Sequence, residues 1–479
     1  VVNKPMDKQI LDTKWVFAFK ENEMDEDKFK ARLVVKGFRQ KDQTFCYDEI
    51  YSPVAKMNTI RTFLAIGNEK GYVFNQLDVK TAFLNGKLTD EIYVTPPNGL
   101  KIGVGKVLKL NKALYGLKQA AKCWFDRFSS EMIKLGFTRS DNDHCLYTKK
   151  NNDGEMTYLL IYVDDILVMG KTDQIVNDVK HELMSIFKLR DKGDPKMFLG
   201  LEVEYSQSEG KMCITQTRYI EKLLHKFGMH DCNSSNIPMD PNLKVIVEEN
   251  NDNKCNKPYR ELVGTLMFLM LGTRPDLCFC VNYFSRYQNN FNDQTWMYLK
   301  RVLKYLKETK EFGLIYTRTG TEPVLESYVD SDWAADSVDR KSVSGYLFKL
   351  NGNTISWRTK KQGCVALSTT ESELVSLCSA VTEGIWINKI LIDFNVNVKN
   401  ITYYEDNQGC INIIKNPSNN NRVKHIDIKY KYVSDQYACN KIDVKYIHTK
   451  SQIADILTKA LCRDTFVKLR NMLGVVYVK

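Results

Sequence analysis

The stretch Tyr158-Leu-Leu-Ile-Tyr-Val-Asp164-Asp165-Ile-Leu-Val-Met169 sets two adjacent carboxylates in the middle of an apolar, β-branched run. The flanking residues ask for burial as strands, whereas two ionised aspartates in such surroundings face a large desolvation cost unless cations pair with them. The pattern predicts a hairpin of strands Tyr158–Val163 and Ile166–Met169 joined at a tight Asp-Asp turn, with both carboxylates at one tip within reach of a hard divalent metal. A solvated turn between two strands is the alternative reading of any such pair. Upstream, Tyr72–Val79 reads as a strand carrying Asp78 near its end, where a carboxylate is both rigid and exposed, and Thr81–Asn85 reads as the start of a helix.

Tyr-Val-Asp-Asp between two apolar strands, with Leu77-Asp78-Val-Lys-Thr-Ala-Phe83 before it, resembles the active-site motif of reverse transcriptases. The resemblance implies that Asp78, Asp164 and Asp165 hold two Mg²⁺, with Mn²⁺ as a substitute, to activate a primer 3′-hydroxyl and stabilise the leaving pyrophosphate. It also makes Phe83 the aromatic that closes against a sugar 2′-hydroxyl and selects deoxynucleotides; an ordinary core aromatic is the alternative.

At 479 residues the chain is long enough for three or four domains, and 69 Lys+Arg against 58 Asp+Glu give a net charge of +11, an excess that favours a polyanionic partner. Thirteen cysteines, odd in number and without C-x-x-C spacing, argue against a disulfide frame or a zinc site and for reduced, intracellular thiols. No apolar run approaches the ~20 residues of a membrane span, so no membrane partner is expected. The opening Val-Val-Asn-Lys-Pro lacks an initiator Met and a signal pattern, which suggests a piece of a larger polyprotein or an incomplete gene product.

Lys14–Phe19 and Phe29–Val35 alternate at period two and predict a hairpin across the polar Glu21–Asp27 turn. Residues 28–41 carry six basic side chains and no acidic one. Lys30 and Arg32 are therefore candidates for gripping template phosphate or an incoming triphosphate, against a merely solvated face. In Ala113–Trp124, Gly116 suits close backbone approach to a nucleotide and Lys118 is a further candidate contact. Asn151–Gly154 is a predicted turn, and Thr172–Phe187 an amphipathic helix capped by Thr172 or Asp173. Phe198–Val203 and Met212–Thr215 read as strands, Arg218–Phe227 as a helix and Val247–Pro258 as a linker. Three helices follow, the last of them basic on one side.

Beyond the Thr317–Pro323 turn the pattern becomes strand-rich. Val324–Asp330, Ser344–Leu350 and Thr354–Arg358 are predicted strands, then a helix opens at the capping box Ser368-Thr-Thr-Glu371, with Ile401–Glu405 and Lys441–Ile447 as later strands. Three strands followed by α-β-α-β-α resembles the order of the ribonuclease H fold. Four acids fall where that fold needs them: Asp330, Glu373, Asp406 and Asp455. Converging them costs repulsion unless divalent metals sit among them. Asp332 and Asp336 read as solvated neighbours, the Asn416–His425 loop as a candidate contact to a hybrid backbone, and His448 as an aid to product release or an incidental surface residue.

Eight motifs, in order, resemble the copia-type LTR retrotransposon polyprotein: Lys30-Ala-Arg-Leu-Val-Val-Lys-Gly37, Gln76–Gly86, Leu114–Ala120, Gly272-Thr-Arg-Pro-Asp276, Asp330-Ser-Asp-Trp-Ala334, Tyr404-Glu-Asp-Asn-Gln408, Lys424–Ile428 and Ala454-Asp455. The family usually has Glu-Ala-Glu and an aromatic where Glu371-Ser-Glu-Leu374 stands here, and Tyr403-Tyr404 ahead of Glu405 reads as a change in strand filling. The resemblance implies an α+β multidomain protein. Residues 1–205 would form the fingers and palm of a right-hand polymerase, 206–246 the thumb, 247–323 a linker and helical connection region, and 324–479 an α/β ribonuclease H-like domain with a C-terminal helix. It further implies an RNA-directed DNA polymerase with ribonuclease H activity and two Mg²⁺ at each active site. Its partners would be an RNA template, a DNA primer, deoxynucleoside triphosphates, the RNA–DNA hybrid, and the capsid, protease and integrase of the parent polyprotein. The place of action would be cytoplasmic retrotransposon particles; whether a dimer forms stays open. The alternative is a catalytically silent, element-derived remnant that only binds nucleic acid.

Overall fold

The computed structural model describes residues 1–20, 28–41, 50–151, 153–243, 256–416 and 427–478. The predicted turn at Glu21–Asp27, Asn152 of the Asn151–Gly154 turn, most of the 247–258 linker and all but the first residue of the Asn416–His425 loop lie outside them. The chain is a mixed α/β protein in two compact units: Val1–Lys56 with Val73–Asp194, and Met57–Tyr72 with Pro195–Lys479.

In the first unit, β1 (Thr13–Lys20) and β2 (Lys28–Val35) form the predicted antiparallel hairpin. A six-stranded sheet carries β3 (Val73–Val79), β4 (Met156–Tyr162), β5 (Asp165–Gly170) and β6 (Leu189–Gly193), in the order β6-β3-β5-β4, and continues into Leu146–Lys150 and Thr138–Arg139. The apolar run that flanks the two aspartates makes its central strands, with Tyr158–Ile161 and Ile166–Met169 at most 2% exposed. Burial on both faces explains the near-continuous apolar sequence. The helix Asp173–Ile186 is capped by Thr172, whose hydroxyl accepts the Ile175 N–H, and it buries Val176, Val179 and Leu183.

The second unit has two five-stranded sheets. In one, Leu201–Ser206 and Lys211–Thr215 form a sheet with Met197–Phe198, Phe312–Thr317 and Val475–Tyr477. The other runs β9 (Asn353–Lys361), β8 (Val343–Leu350), β7 (Leu325–Asp332), β10 (Ile401–Glu405), β11 (Ile442–Tyr446). Its first three strands are antiparallel and its β7-β10-β11 side parallel. The helix Thr369–Asp393 packs on β7 and β8; it is long and apolar enough by composition to cross a membrane, and here buries Leu374, Leu377, Val381, Ile387 and Ile390.

Two buried arginines fix this unit. Arg61, on the helix Met57–Lys70, donates to the carbonyls of Ile355 (2.7 Å), Leu271 (2.6 Å) and Gly272 (3.1 Å) and lies 3.7 Å from the Trp357 ring centre. Burial lowers its pKa to about 10, against the opposing influence of Tyr316, Cys278 and Glu383. A helix that sequence order puts among polymerase elements is thus bolted to the second unit. Arg274 and Asp276, both fully buried, form a bidentate pair (3.0 and 2.8 Å) completed by Thr309 and by the Tyr305 hydroxyl, 2.6 Å from Asp276 Oδ2. Such a buried pair is tolerable because the surrounding hydrogen bonds from and to Thr309 and Tyr305 replace much of the water it has lost.

Candidate active sites

The β4–β5 hairpin turns one residue earlier than the Asp-Asp expectation. Tyr162 pairs with Asp165, so the two-residue turn is Val163-Asp164 and Asp165 is already a strand residue. Val163 takes φ 57°, a left-handed conformation that a β-branched residue adopts only under constraint. The constraint is visible: the Trp124 indole N–H donates to the Val163 carbonyl at 2.6 Å, and the Val79 N–H to the Asp164 carbonyl at 2.7 Å.

On its other side β5 pairs with β3, and the register sets Asp165 opposite Asp78. β3 also pairs with β6, where the register slips between Asp191 and Gly193 and leaves Lys192 as the extra residue of a bulge, with Gly193 at φ 68°. A bulge re-aims a side chain. Here Lys192 Nζ stands 3.0 Å from Asp78 Oδ2 and 2.7 Å from Asp165 Oδ1, while Gln76 Nε2 donates to Asp165 Oδ1 at 3.2 Å. Partial burial works against the Lys192 charge, but its hydrogen bonds to Asp165 and Asp78 outweigh this and raise its pKa. Desolvation, then the charge of Asp165, raises the Asp164 carboxyl.

Phe83 lies half-buried, its ring centre 5.0 Å from that of Tyr115, in the wall of a cavity of about 480 Å³ shared with Val163, Trp124 and Tyr51. Arg32 is exposed on β2 with its guanidinium 5.9 Å from the Tyr115 ring centre, and Lys30 is exposed two residues before it. Gly116, at φ 93°, has a packing role: a Cβ there would stand 2.0 Å from the Val35 carbonyl oxygen. Lys118 is tied to Gln40, its N–H donating to Oε1 at 2.9 Å.

The second site gathers at one end of the parallel strands. Asp330 lies near the end of β7, Asp406 follows β10, Glu373 lies in the second turn of Thr369–Asp393, and Asp455 opens the short helix Asp455–Thr458. Gly345, paired with Asp330, lets that short helix approach: a Cβ would stand 2.6 Å from Thr458 Cγ2. Gln452 Nε2 donates to the carbonyls of Val329 (2.8 Å) and Tyr404 (3.3 Å), joining the ends of β7 and β10. Carboxylate oxygens of Asp330, Asp406 and Asp455 lie within 4.8 Å of one another, as do those of Glu373, Glu405 and Asp406. The Thr458 hydroxyl donates to Asp330, and Lys459 Nζ stands 3.0 Å from Asp455 and 3.7 Å from Asp330.

Burial dominates the electrostatics. It raises Asp330, Glu373 and Glu405, and together with the charge of Asp330 it raises Asp455 to about 7. Among the described residues, the buried Oε2 atoms of Glu373 and Glu405 have no hydrogen-bond partner. An all-carboxylate donor set with orphaned buried oxygens fits a hard divalent cation.

Over residues 1–241 the sequence matches the family described as reverse transcriptase (RNA-dependent DNA polymerase). The chain belongs to that family. It is 37% identical over 484 residues to the Retrovirus-related Pol polyprotein from transposon TNT 1-94 of Nicotiana tabacum, covering 99% of this chain and 36% of that protein. It is 34% identical over 473 residues to the Retrovirus-related Pol polyprotein from transposon RE1 of Arabidopsis thaliana, covering 98% and 32%. The chain therefore spans about a third of the length of these copia-type polyproteins. The crystal structure of RNase H1 from the halophilic archaeon Halobacterium salinarum aligns with 28% of this chain and 93% of its own, at 11% identity and a TM-score of 0.21.

In this reverse transcriptase chain the structure brings Asp78 and Asp165 together, with Asp164 at the adjoining turn, and brings Asp330, Glu373, Asp406 and Asp455 together. Three residues at these sites escaped the sequence reading. Lys192 lies in a short polar strand without period-two alternation; the Asp-Lys-Gly run was its one signal. Lys459 stands four residues after Asp455, just past the short helix that Asp455 opens. Glu405 precedes Asp406 directly. Asp336, expected to be solvated, is instead ion-paired with Arg286 (3.0 Å) and Lys361 (2.5 Å), and its pKa falls to about 2 because the bond to Lys361 and the backbone N–H groups of Val338 and Asp339 outweigh its desolvation. Glu371 caps its helix as expected, though it reaches back to the Leu367 N–H. His448 is exposed and accepts the Lys450 N–H at 3.1 Å, a local cap.

Proposed function

We propose that this chain is an RNA-directed DNA polymerase with ribonuclease H activity, copying retrotransposon RNA into DNA at the first site and degrading the RNA strand of the hybrid at the second. The observation that carries the reading is the strand register that sets Asp165 across from Asp78 beside the Asp164 turn. Asp78, Asp164 and Asp165 would hold Mg²⁺, or Mn²⁺ in its place, and Asp330, Glu373, Asp406 and Asp455 would hold it at the second site. Bound there, the metal supplies Lewis acidity for in-line displacement at phosphorus. Lys192 keeps Asp78 and Asp165 from repelling one another in the free enzyme; on yielding those oxygens it is left as a cation beside the incoming triphosphate. Arg32 and Lys30, exposed on β2, are assigned to the triphosphate and template phosphates, and Lys118 to the same polyanion. Phe83 is assigned to the sugar: an aromatic wall clashes with a 2′-hydroxyl and admits deoxyribose. Thr458 and Lys459 hold Asp330 and Asp455 in place for water attack on the hybrid.

In this reading residues 1–205 supply fingers and palm, 206–246 the thumb, 247–323 the connection and 324–479 the hydrolytic domain. The chain works in cytoplasmic retrotransposon particles on RNA template, DNA primer and deoxynucleoside triphosphates. Asp164→Asn is expected to lower primer extension on poly(rA)–oligo(dT) by about 10³-fold or more while hybrid cleavage changes by less than about twofold, and Asp330→Asn to do the converse. Undiminished extension by a folded Asp164→Asn protein refutes the polymerase assignment. Salt-sensitive hybrid binding without any turnover would favour the silent remnant instead. Phe83→Val is expected to raise ribonucleotide incorporation about tenfold or more, measured against deoxynucleotide use on the same primer.

A further inference from the structure

Across the second sheet the register lines up Asp330 of β7, Gly345 of β8 and Thr359 of β9 in one row. The short helix Asp455–Thr458 sits on that row: Thr458 donates to Asp330, a Cβ on Gly345 would meet Thr458, and the Thr359 hydroxyl donates to the Leu457 carbonyl at 2.7 Å. Asp455 is therefore only as well placed as β9 is. Further back along β9 the register to β8 slips, from Phe348 opposite Ser356 to Lys349 opposite Thr354, and leaves Ile355 as the extra residue of a bulge. Such a residue is left out of the ladder. Its carbonyl is answered instead by the Arg61 guanidinium at 2.7 Å, which also meets the Leu271 and Gly272 carbonyls at the end of the helix Tyr259–Gly272. The last carbonyls of a helix have no partner within it. Trp357, two residues before Thr359 and on its face, closes the arrangement: its ring lies against the guanidinium and its indole N–H donates to the Met270 carbonyl at 2.9 Å.

Arg61 is 2% exposed, and a guanidinium buried to that degree is a costly brace where an apolar side chain would fill the space. It stands 294 residues before Ile355 in the chain, on the helix Met57–Lys70. That helix is tied to the same unit further along as well: Lys70 Nζ donates to the Phe394 carbonyl at 2.9 Å, and the Phe63 and Phe394 ring centres lie 6.0 Å apart. We propose that Arg61 is a positioning residue for hybrid cleavage: it holds the β9 bulge against the end of the helix Tyr259–Gly272, and through Trp357 and Thr359 this fixes the seat of the helix that carries Asp455. The inference rests on the hydrolytic reading of the second site and extends its machinery to a residue outside 324–479. Residues 57–72 then belong with the hydrolytic domain, and a piece cut away near residue 323 lacks its brace.

The test uses the full chain and reads hybrid cleavage in Mg²⁺. Arg61→Met, apolar and without donors, is expected to lower kcat for cleavage about tenfold or more and to leave KM for the hybrid within about twofold, because Arg61 acts through β9 and not on the substrate. Arg61→Lys keeps a cation and a donor without the planar fork, and should recover about threefold of that loss. Thr359→Val should lower kcat about threefold, and adding it to Arg61→Met should change little further, since both act on one strand. An Arg61→Met protein that is folded by circular dichroism and thermal unfolding and keeps the parent kcat overturns the proposal. A loss confined to KM overturns it too, as does a Thr359→Val loss that multiplies in full with that of Arg61→Met. Where Arg61→Met does not fold, Arg61→Lys and Thr359→Val decide, and the parent kcat in both overturns it. The hydrolytic reading fails separately: a parent chain whose hybrid cleavage is absent, or survives Asp330→Asn, removes that reading and the proposal with it.

Discussion

The two carboxylate clusters are held at different kinds of cost. At the first, the side chains of Asp78 and Asp165 remain 34% and 20% exposed and share one ammonium, and the unusual feature is in the backbone: Val163 and Thr81, on either side of the acids, both adopt left-handed conformations. At the second, the side chains of Asp330 and Asp455 are 3% and 9% exposed, and the acids resist ionisation because they are buried together. Strain stores free energy in turn geometry, where it fixes position whatever the pH. Desolvation stores it in charge, where protons, lysines and metals can release it. The first cluster should therefore be sensitive to changes in the chain and the second to changes in the solution.

The lysines test this most strongly. Lys459→Met strands a buried Asp330 beside Asp455 and is expected to cost about 3 kcal/mol of metal-free stability, the lower end for breaking a buried pair. Lys192→Met removes a cation from a partly solvated site and should cost about 1 kcal/mol or less. Denaturant midpoints in the presence of a chelator measure both, and Mg²⁺ should restore more of the loss at Lys459 than at Lys192. Equal losses would mean that the two clusters are solvated alike.

A smaller effect is expected from pH. The Asp455 carboxyl moves from 3.8 to about 7 on folding. Between those values the folded chain keeps a proton that the unfolded chain has released, so stability falls as pH rises through the window and levels off above it. The metal-free midpoint should thus be higher near pH 5 than near pH 8, Asp455→Asn should flatten that slope, and Mg²⁺ at the higher pH should reverse it. A midpoint that rises with pH in the chelated protein contradicts the buried-acid account.

The features legible in the sequence were those set by near neighbours along the chain. Alternating or continuous apolar runs gave the β4–β5 hairpin and the β7–β8–β9 meander, and Thr172 and Ser368 announced their helices through local side-chain to backbone bonds. What escaped depended on partners far away. The helix Met57–Lys70 has a conventional helical pattern, and nothing in it tells that Arg61 answers carbonyls at Ile355 and Leu271. Leu189–Gly193 is a strand because β3 accepts it, with Lys192 extruded toward the acids. Glu405 drew no reading of its own because its neighbour in the cluster, Glu373, lies on another element. The turn was misplaced for a related reason: propensity puts polar Asp-Asp at a hairpin tip, and only tertiary bonds from Trp124 and Val79 hold a valine there.

That valine gives the finest test of the comparison. An L-residue in the left-handed region costs roughly 1–2 kcal/mol, and glycine removes that cost while adding about 0.5–1 kcal/mol of chain entropy lost on folding. Val163→Gly should then change stability by less than about 1 kcal/mol, in the stabilising direction if strain is the larger part. Its functional effect should be confined to one activity. A glycine turn lets Asp164 sample positions that the valine forbids, so primer extension is expected to fall by about two- to tenfold, equivalent to less than ~1.4 kcal/mol of barrier. Hybrid cleavage should be unmoved, since among the described residues none of Asp330, Glu373, Asp406 and Asp455 adjoins Val163 or itself lies at positive φ. A Val163→Gly protein that loses much more than 1 kcal/mol of stability while extending primers normally would show that the side chain matters for packing in its 480 Å³ cavity and that the turn's geometry is not what positions the carboxylate.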